Sequence, residues 1–416
     1  MEFVDIPRLD IGGRQFEITV PSSKSLANRM LVLSAQIQGQ FRLKGDFEAE
    51  DIQLMIDALR LLGIGIIQEA EGLFLKNDCS WKGQADEREL FLGNSGTSVR
   101  FLAALMALRS GKMVLTGKPR MKERPIGDLV EALRQLGAEI DYLELTGFPP
   151  LMVKGFSEQA SSQLSLKGSV SSQYTTALML LAPSLNQGLE LSFEGEVISW
   201  PYVSMTAQLL RQYGVEVDLV EKTRVIVKPH VMEAVDRVVE GDASAATYWW
   251  ALEKLHGARI SVSNVSSESL QGDVQFYQIV HDWFDTDEVE IDLNDLPDAS
   301  LTLMAIAPYR HCATRIVNVA SLRVKETDRL EAMATELRKA GVEVDLGPDW
   351  IQIEPMGLMG ETLVECETYD DHRIAMSMAV FGSKRGNVRI LDPECVAKSY
   401  PGFWDDFQLL VSKKAS

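Results

Sequence analysis

The sequence predicts an α/β protein of two similar domains, each made of three copies of one unit. Three observations in its 416 residues carry that expectation. A short turn rich in Ser, Thr, Asp and Gly leads six times into an almost wholly apolar helix. A second helix, closed by Leu-Arg-x-x-Gly, interleaves with the first. At ~150 residues per domain the length allows two or three domains. A composition 46% hydrophobic and 24% charged excludes disordered, collagen-like and disulfide-scaffold chains.

The apolar helices start within SSKSLANRMLVLSA (22–35), NSGTSVRFLAALMAL (94–108), SVSSQYTTALMLLA (169–182), GDASAATYWWAL (241–252), PDASLTLMAIA (297–307) and DDHRIAMSMAVF (370–381). With Ser25, Thr97, Ser171, Ser244, Ser300 and Asp371 as anchors, the steps are 72, 74, 73, 56 and 71 residues. Side-chain oxygens at each start can cap free N–H groups of the first turn. Helices apolar on every side are expected to be buried. The second pattern reads LRLLGIGI (59–66), LRQLGAEI (133–140), LRQYGVEV (210–217) and LRKAGVEV (337–344). Apolar residues at i, i+3, i+4 and i+7 precede it, as in Leu129, Val130, Leu133 and Leu136, which marks an amphipathic helix. The Gly stops that helix at its C′ position, and an alternating segment then predicts a strand. FYQIVHDWFDTDEVEI (276–291) is a degraded copy without the Gly, and no sixth copy is evident. Six units of about 70 residues divide into two domains of three near 235–242.

Forty-one Lys and Arg against 60 Asp and Glu leave a formal charge of −19, which argues against nucleic acid and anionic membranes as partners. Cys79, Cys312, Cys366 and Cys395 form no C-x-x-C pair, as expected of a reducing compartment without a metal cluster. His230, His256, His281, His311 and His372 lack zinc-site spacing. MEFVDIPRLD has no signal-peptide pattern, and no apolar run approaches the ~18 residues of a membrane span, so a cytoplasmic protein is expected.

The cations are unevenly placed. Lys118, Arg120, Lys122 and Arg124 lie in KPRMKERP, and Arg323, Lys325 and Arg329 in RVKETDR. Lys24 and Arg29 flank the first apolar-helix start, Arg100 follows the second, Arg373 lies in the sixth, and Lys398 stands in CVAKSYPGF. Helix starts favour phosphate and carboxylate through free N–H groups and the helix dipole. Each element also has a plain reading, as a solvated basic loop, an i,i+4 charge pair or a simple cap. Jointly they point to a multiply charged small anion, because the cations gather at helix starts of an acidic chain.

PSSKSLANR, GNSGTSVRFLAAL, TGKPRMKERPIGDLV, GSVSSQ, SWPY, GDASAATY, LPDAS, RVKETDRL, YDDHRIAM and DPECVAKSYPGF resemble, in order, the signatures of the 5-enolpyruvylshikimate-3-phosphate (EPSP) synthase family. The resemblance runs from about residue 20 to 405, with stretches 65–90, 218–238 and 256–290 lacking a distinctive match. It implies transfer of the enolpyruvyl group of phosphoenolpyruvate (PEP) to the 5-hydroxyl of shikimate 3-phosphate, without metal or organic cofactor. It also implies the enolpyruvyl transferase fold: two domains, each of three βαβαββ units around buried parallel helices, with the active site in the cleft between them. The first strand would join the C-terminal domain, giving 1–22 with 240–416, and 23–239. A monomer is the expected state.

Carried over by motif, the resemblance implies a shikimate-phosphate site of Lys24, Ser25, Arg29, Ser171, Ser172, Gln173, Ser199, Tyr202, Asp298, Ser321 and Lys325. It implies a PEP site of Lys24, Asn94, Gly96, Arg124, Gln173, Arg329, Arg373 and Lys398. Guanidinium forks suit phosphate and carboxylate alike, and Gly96 lets backbone approach a ligand closely. Lys24, Asp298 and Glu326 would be catalytic: Asp298 accepts the hydroxyl proton, Glu326 moves a proton to and from the PEP methylene carbon, and Lys24 steadies the departing phosphate. Lys325 and Arg329 flank Glu326 and favour its carboxylate form, so desolvation must oppose them before it can act as an acid.

Two positions depart from the family pattern. Ser321 stands where many members carry Asn, and Phe101 follows Arg100 where Pro or Leu is usual. Retained Gly96 resembles the pattern of members that glyphosate inhibits competitively with PEP. The nearest rival is the related transferase acting on UDP-N-acetylglucosamine, which carries a Cys in the loop matching 117–124, where GKPRMKER has none. A non-catalytic anion-binding protein of the same fold is the other. Retention of Lys24, Asp298, Glu326 and the three PEP arginines opposes it.

Overall fold

The computed structural model describes residues 2–156, 158–168, 171–195, 197–357 and 362–412. They form two compact units, one of Ser22–Glu240 and one of Met1–Pro21 with Gly241–Ser416. In the first, the second repeat runs strand Arg88–Phe91, helix Gly96–Met106, strand Lys112–Thr116, helix Gly127–Gln135, strands Glu139–Tyr142 and Leu151–Lys154. Its first two strands pair in parallel through the helical crossover, and the last two return antiparallel. The third repeat copies it from Gln163–Lys167 to Arg224–Val227. In the first repeat the leading strand is supplied by Arg237–Val238, parallel to Gly39–Lys44 at the far end of the unit.

Among the described residues the other unit holds one complete repeat, from Glu290–Asp292 to Ile351–Ile353. The fourth repeat pairs Gln15–Ile18 with Arg259–Val262 in a two-stranded sheet, and no hairpin follows among the described residues. That abbreviation accounts for the short 56-residue step in the sequence. The sixth repeat has strands Val364–Cys366 and Val388–Leu391, and Phe3–Ile6 joins the latter antiparallel.

All six apolar segments are helices, and the inner three of each unit touch one another pairwise. Ser23, Ser95, Ser171, Asp242 and Asp371 cap five of them, each accepting from a first-turn N–H. The fifth departs from expectation: Ala299 occupies the cap, and the Ser300 hydroxyl instead donates to the Pro297 carbonyl at 2.6 Å. Gly63, Gly137, Gly214 and Gly341, just past the second helices, have φ of +97°, +106°, +82° and +87°. Only Gly takes that conformation without strain, which is why the Leu-Arg-x-x-Gly pattern ends each helix.

The second helix missing from the sequence pattern is Phe403–Ser412. It lacks the closing Gly and is held instead by aromatic packing. Phe403 meets Trp249 at 5.7 Å, Tyr248 at 5.9 Å and Tyr400 at 5.6 Å between ring centroids. The two tyrosine contacts are edge-to-face and the tryptophan contact is tilted, and aromatic pairs of this kind add ~0.5–1.5 kcal/mol beyond area burial. The degraded fourth copy is the helix Gln275–Gln278 continued by a π turn at Ile279–Trp283.

Candidate active site

The predicted residues fall into two sets, one in each unit. In Ser22–Glu240 the set collects at helix starts. Ser23 caps Lys24–Ser34, so Lys24 and Ser25 open that helix half-buried. The Lys24 ammonium lies 3.2 Å from Asp51 Oδ2, a carboxylate with 3% of its side chain exposed. One turn on, Arg29 is buried. Its Nε donates to Thr206 Oγ1 at 2.9 Å, Nη2 to Thr176 Oγ1 at 3.3 Å and Nη1 to the Ser25 carbonyl at 2.7 Å. Its guanidinium also lies 5.5 Å from the Phe101 ring centroid. Burial lowers the Arg29 pKa to about 9, with Tyr202 acting in the opposite direction. Phe101, one of the two departures from the family pattern, thus packs on a guanidinium predicted for shikimate 3-phosphate.

At the second helix start, Arg124 Nη1 donates to the Asn94 carbonyl at 3.0 Å. Arg100 Nη1 donates to the Gly96 carbonyl and Nη2 to the Pro125 carbonyl, each at 2.8 Å. A Cβ on Gly96 would stand 2.4 Å from Arg124 Nη2 and 2.7 Å from Arg100 Nη1. Glycine there lets two guanidinium groups close over the helix N-terminus. The third start adds Ser171, which caps Ser172–Leu181, and Gln173, whose Nε2 donates to Thr97 Oγ1 at 3.4 Å. Ser199 takes a left-handed φ of +53° ahead of helix Trp200–Gln212, and Tyr202 sits half-buried in its first turn.

In the other unit the residues form one charged network. Arg329, 1% exposed, opens helix Arg329–Lys339 and reaches three carboxylates. Its Nη1 lies 3.1 Å from Asp298 Oδ1, its Nη2 2.9 Å from Glu326 Oε2 and its Nε 2.7 Å from Asp371 Oδ2. Burial alone would lower its pKa, but Asp371, Glu326 and Asp298 outweigh that and raise it. Asp298 also faces Lys325 at 3.6 Å and Arg373 Nη2 at 3.4 Å. Lys398 lies 4.0 Å from Glu326 Oε1. Ser321 is half-buried in the 3₁₀ turn Ala320–Val324 ahead of Lys325.

Several motif cations stay outside these sets. Arg120 pairs with Glu123 at 2.9 Å on the surface, and Arg323 staples a loop through the Pro348 and Gly347 carbonyls. Sequence reasoning overlooked Asp51, Asp371 as the partner of Arg329, and Asp273. Asp273 is buried, accepts from the Ser244 hydroxyl and has its pKa pushed up to about 6 by burial and by Asp298. Asp51 lies in the acidic first turn of Glu50–Leu61, where an acid reads as dipole complement.

In the first set Lys24, Arg29, Arg100 and Arg124 stand against Asp51. In the second Lys325, Arg329, Arg373 and Lys398 stand against Asp298, Glu326 and Asp371. The first set therefore keeps a positive surplus within a chain of net charge −19, while Asp273, whose charge interacts with Asp298 and Arg373, brings the second to four acids against four cations. Both are suited to hold anions, and the second also offers carboxylates within reach of cations for proton transfer.

Comparison with known proteins agrees with this chemistry. The family model for EPSP synthase (3-phosphoshikimate 1-carboxyvinyltransferase) matches residues 12–407. The 3-phosphoshikimate 1-carboxyvinyltransferase of Cellvibrio japonicus is 39% identical over 99% of this chain and 100% of its own length. That of Bordetella petrii is 40% identical over 99% and 97%. Among solved structures, EPSP synthase from Acinetobacter baumannii superposes with a TM-score of 0.76 at 23% identity, covering 98% of both chains. The enolpyruvyl transferase NikO from Streptomyces tendae gives 0.70 at 15% identity, covering 99% of this chain and 98% of its own, and shares the fold. The chain belongs to the EPSP synthase family.

Proposed function

We propose that the two residue sets perform the family's reaction together. The protein transfers the enolpyruvyl group of PEP to the 5-hydroxyl of shikimate 3-phosphate and releases phosphate, a step toward aromatic amino acids. The observation that best supports the residue assignment is the network in which Asp298 and Glu326 share Arg329 at 3.1 and 2.9 Å. Asp298 accepts the proton of the 5-hydroxyl as its oxygen bonds to C2 of PEP, while Glu326 gives a proton to C3. The adduct then loses phosphate as Glu326 takes a proton back from C3 and the C2–C3 double bond re-forms. Lys24 steadies the negative charge on the departing phosphate.

Arg29, Ser25, Ser171, Ser172, Ser199, Tyr202, Ser321 and Lys325 hold shikimate 3-phosphate, with Gln173 bridging toward PEP. Asn94, Gly96, Arg124, Arg329, Arg373 and Lys398 hold PEP. The buried Arg29 supports an anion-holding role at its position, because an arriving carboxylate or phosphate would offset a charge that burial now opposes. The protein works as a cytoplasmic monomer without metal or organic cofactor, which gel filtration and activity after chelation test.

Phosphate release from PEP decides the assignment. It should occur with shikimate 3-phosphate and be absent with UDP-N-acetylglucosamine. Glu326→Gln should lower kcat ~10²-fold or more, the scale of a lost general acid. Near-normal turnover of that variant would overturn the role of Glu326.

A further inference from the structure

We propose that Glu336, outside both residue sets, is a positioning residue for Asp371 and Arg373, holding the left-handed turn that carries them into place. This rests on the reading of Arg373 as a PEP-binding residue. Glu336 lies two turns along the same helix as Arg329, so the two side chains share a face. Its carboxylate is fully buried. The Tyr369 hydroxyl donates to Oε1, the Glu367 N–H donates to Oε2 at 3.3 Å, and Lys339 Nζ stands 2.9 Å from Oε2. A carboxylate withdrawn from water persists only with such partners, and Glu367 and Tyr369 belong to the segment leading to Asp371.

That segment has unusual backbone. Tyr369 and Asp370 have φ of +57° and +52°, two successive left-handed residues without a glycine. L-residues resist this conformation, which survives where the surroundings enforce it. The next residue, Asp371, caps helix His372–Arg385 through the Arg373 N–H at 2.9 Å and grips Arg329 Nε at 2.7 Å. One helix therefore fastens both ends of the turn, through Glu336 on Glu367 and Tyr369 and through Arg329 on Asp371. With Glu336 gone, the turn is free to relax toward right-handed backbone, and Asp371 and Arg373 move with it.

The test is steady-state kinetics of Glu336→Gln. The amide keeps size and can accept from Tyr369, but it sets an N–H against the Glu367 N–H or the Lys339 ammonium. PEP KM should rise roughly tenfold, with kcat and the KM for shikimate 3-phosphate within about twofold of the parent. Adding Asp370→Gly, which makes the left-handed turn easy to adopt, should return PEP KM most of the way. Should Glu336→Gln not fold, Tyr369→Phe removes a single bond and should give the same split on a smaller scale. Arg373→Lys serves as control: unchanged PEP KM there overturns the Arg373 reading and this proposal with it. A raised PEP KM in Arg373→Lys with none in Glu336→Gln overturns the positioning role alone. So does a general loss of both substrates and of thermal stability that Asp370→Gly fails to rescue.

Discussion

Replacing Arg29 with Met should stabilise the unliganded protein while removing its hold on shikimate 3-phosphate. The guanidinium is fully buried among hydroxyls and a carbonyl, and no carboxylate among the described residues offsets its charge. Burial brings its pKa down to about 9. That is more than three pH units below an ordinary arginine, and at ~1.4 kcal/mol per unit it amounts to roughly 4–5 kcal/mol of opposed charge burial at neutral pH. Met keeps the aliphatic stem and removes the charge. The hydroxyls left behind keep partners, since Thr206 Oγ1 also donates to the Tyr202 carbonyl at 2.6 Å and lies 3.3 Å from Thr176 Oγ1. Lost hydrogen bonds and the ring contact with Phe101 reduce the gain to about 1–2 kcal/mol. For units of this size that raises Tm by ~2–8 °C. Thermal unfolding without ligand and calorimetric titration with shikimate 3-phosphate are the two assays. A Tm unchanged or lowered, or an affinity within a few-fold of the parent, would refute the reasoning.

Further predictions follow from the same geometry. Because Arg29 is charged below about 9, affinity for shikimate 3-phosphate should fall as pH rises through that value, and in Arg29→Lys the limb should move. A methyl at Gly96→Ala would meet Arg124 Nη2 at 2.4 Å, a displaceable side-chain end, so PEP KM should rise ~10-fold with little change in Tm, and competitive inhibition by glyphosate should weaken. Asp273 has a folded pKa raised to about 6 by burial and by Asp298, so its stability contribution is complete near pH 4 and is lost as pH rises through 6. Asp273→Asn should therefore match the parent at pH 4 and exceed it by about 2 kcal/mol at pH 7.5; an equal gap at both pH values would contradict this.

The repeat was legible because each unit writes its own boundaries. A capping oxygen before an apolar run and a glycine after Leu-Arg-x-x are local requirements of helix ends, so they survive as spacing. Where packing replaces such signals, the sequence is mute: Phe403–Ser412 ends without glycine and is fixed by Trp249 and Tyr248, residues 154 and 155 positions before Phe403 in the chain. The same limit holds for the site. Its cations stood out against an acidic chain, and the resemblance supplied Asp298 and Glu326, but two further carboxylate partners did not stand out. Asp51 pairs with Lys24 from 27 residues away, and Asp371 with Arg329 from 42. Acids near helix starts read as caps until the fold shows what they face.

The borrowed strands impose an order on synthesis. Ser22–Glu240 is contiguous, and its first sheet is closed by Arg237–Val238, so it can finish folding once roughly the first 240 residues have emerged. The other unit cannot. Gln15–Ile18 must wait for Arg259–Val262, and Phe3–Ile6 for Val388–Leu391, so two strands made ahead of Ser22–Glu240 are among the last to find partners. Throughout that interval two short strands stay unpaired, a window in which a chaperone or protease meets the chain before its own sheet does.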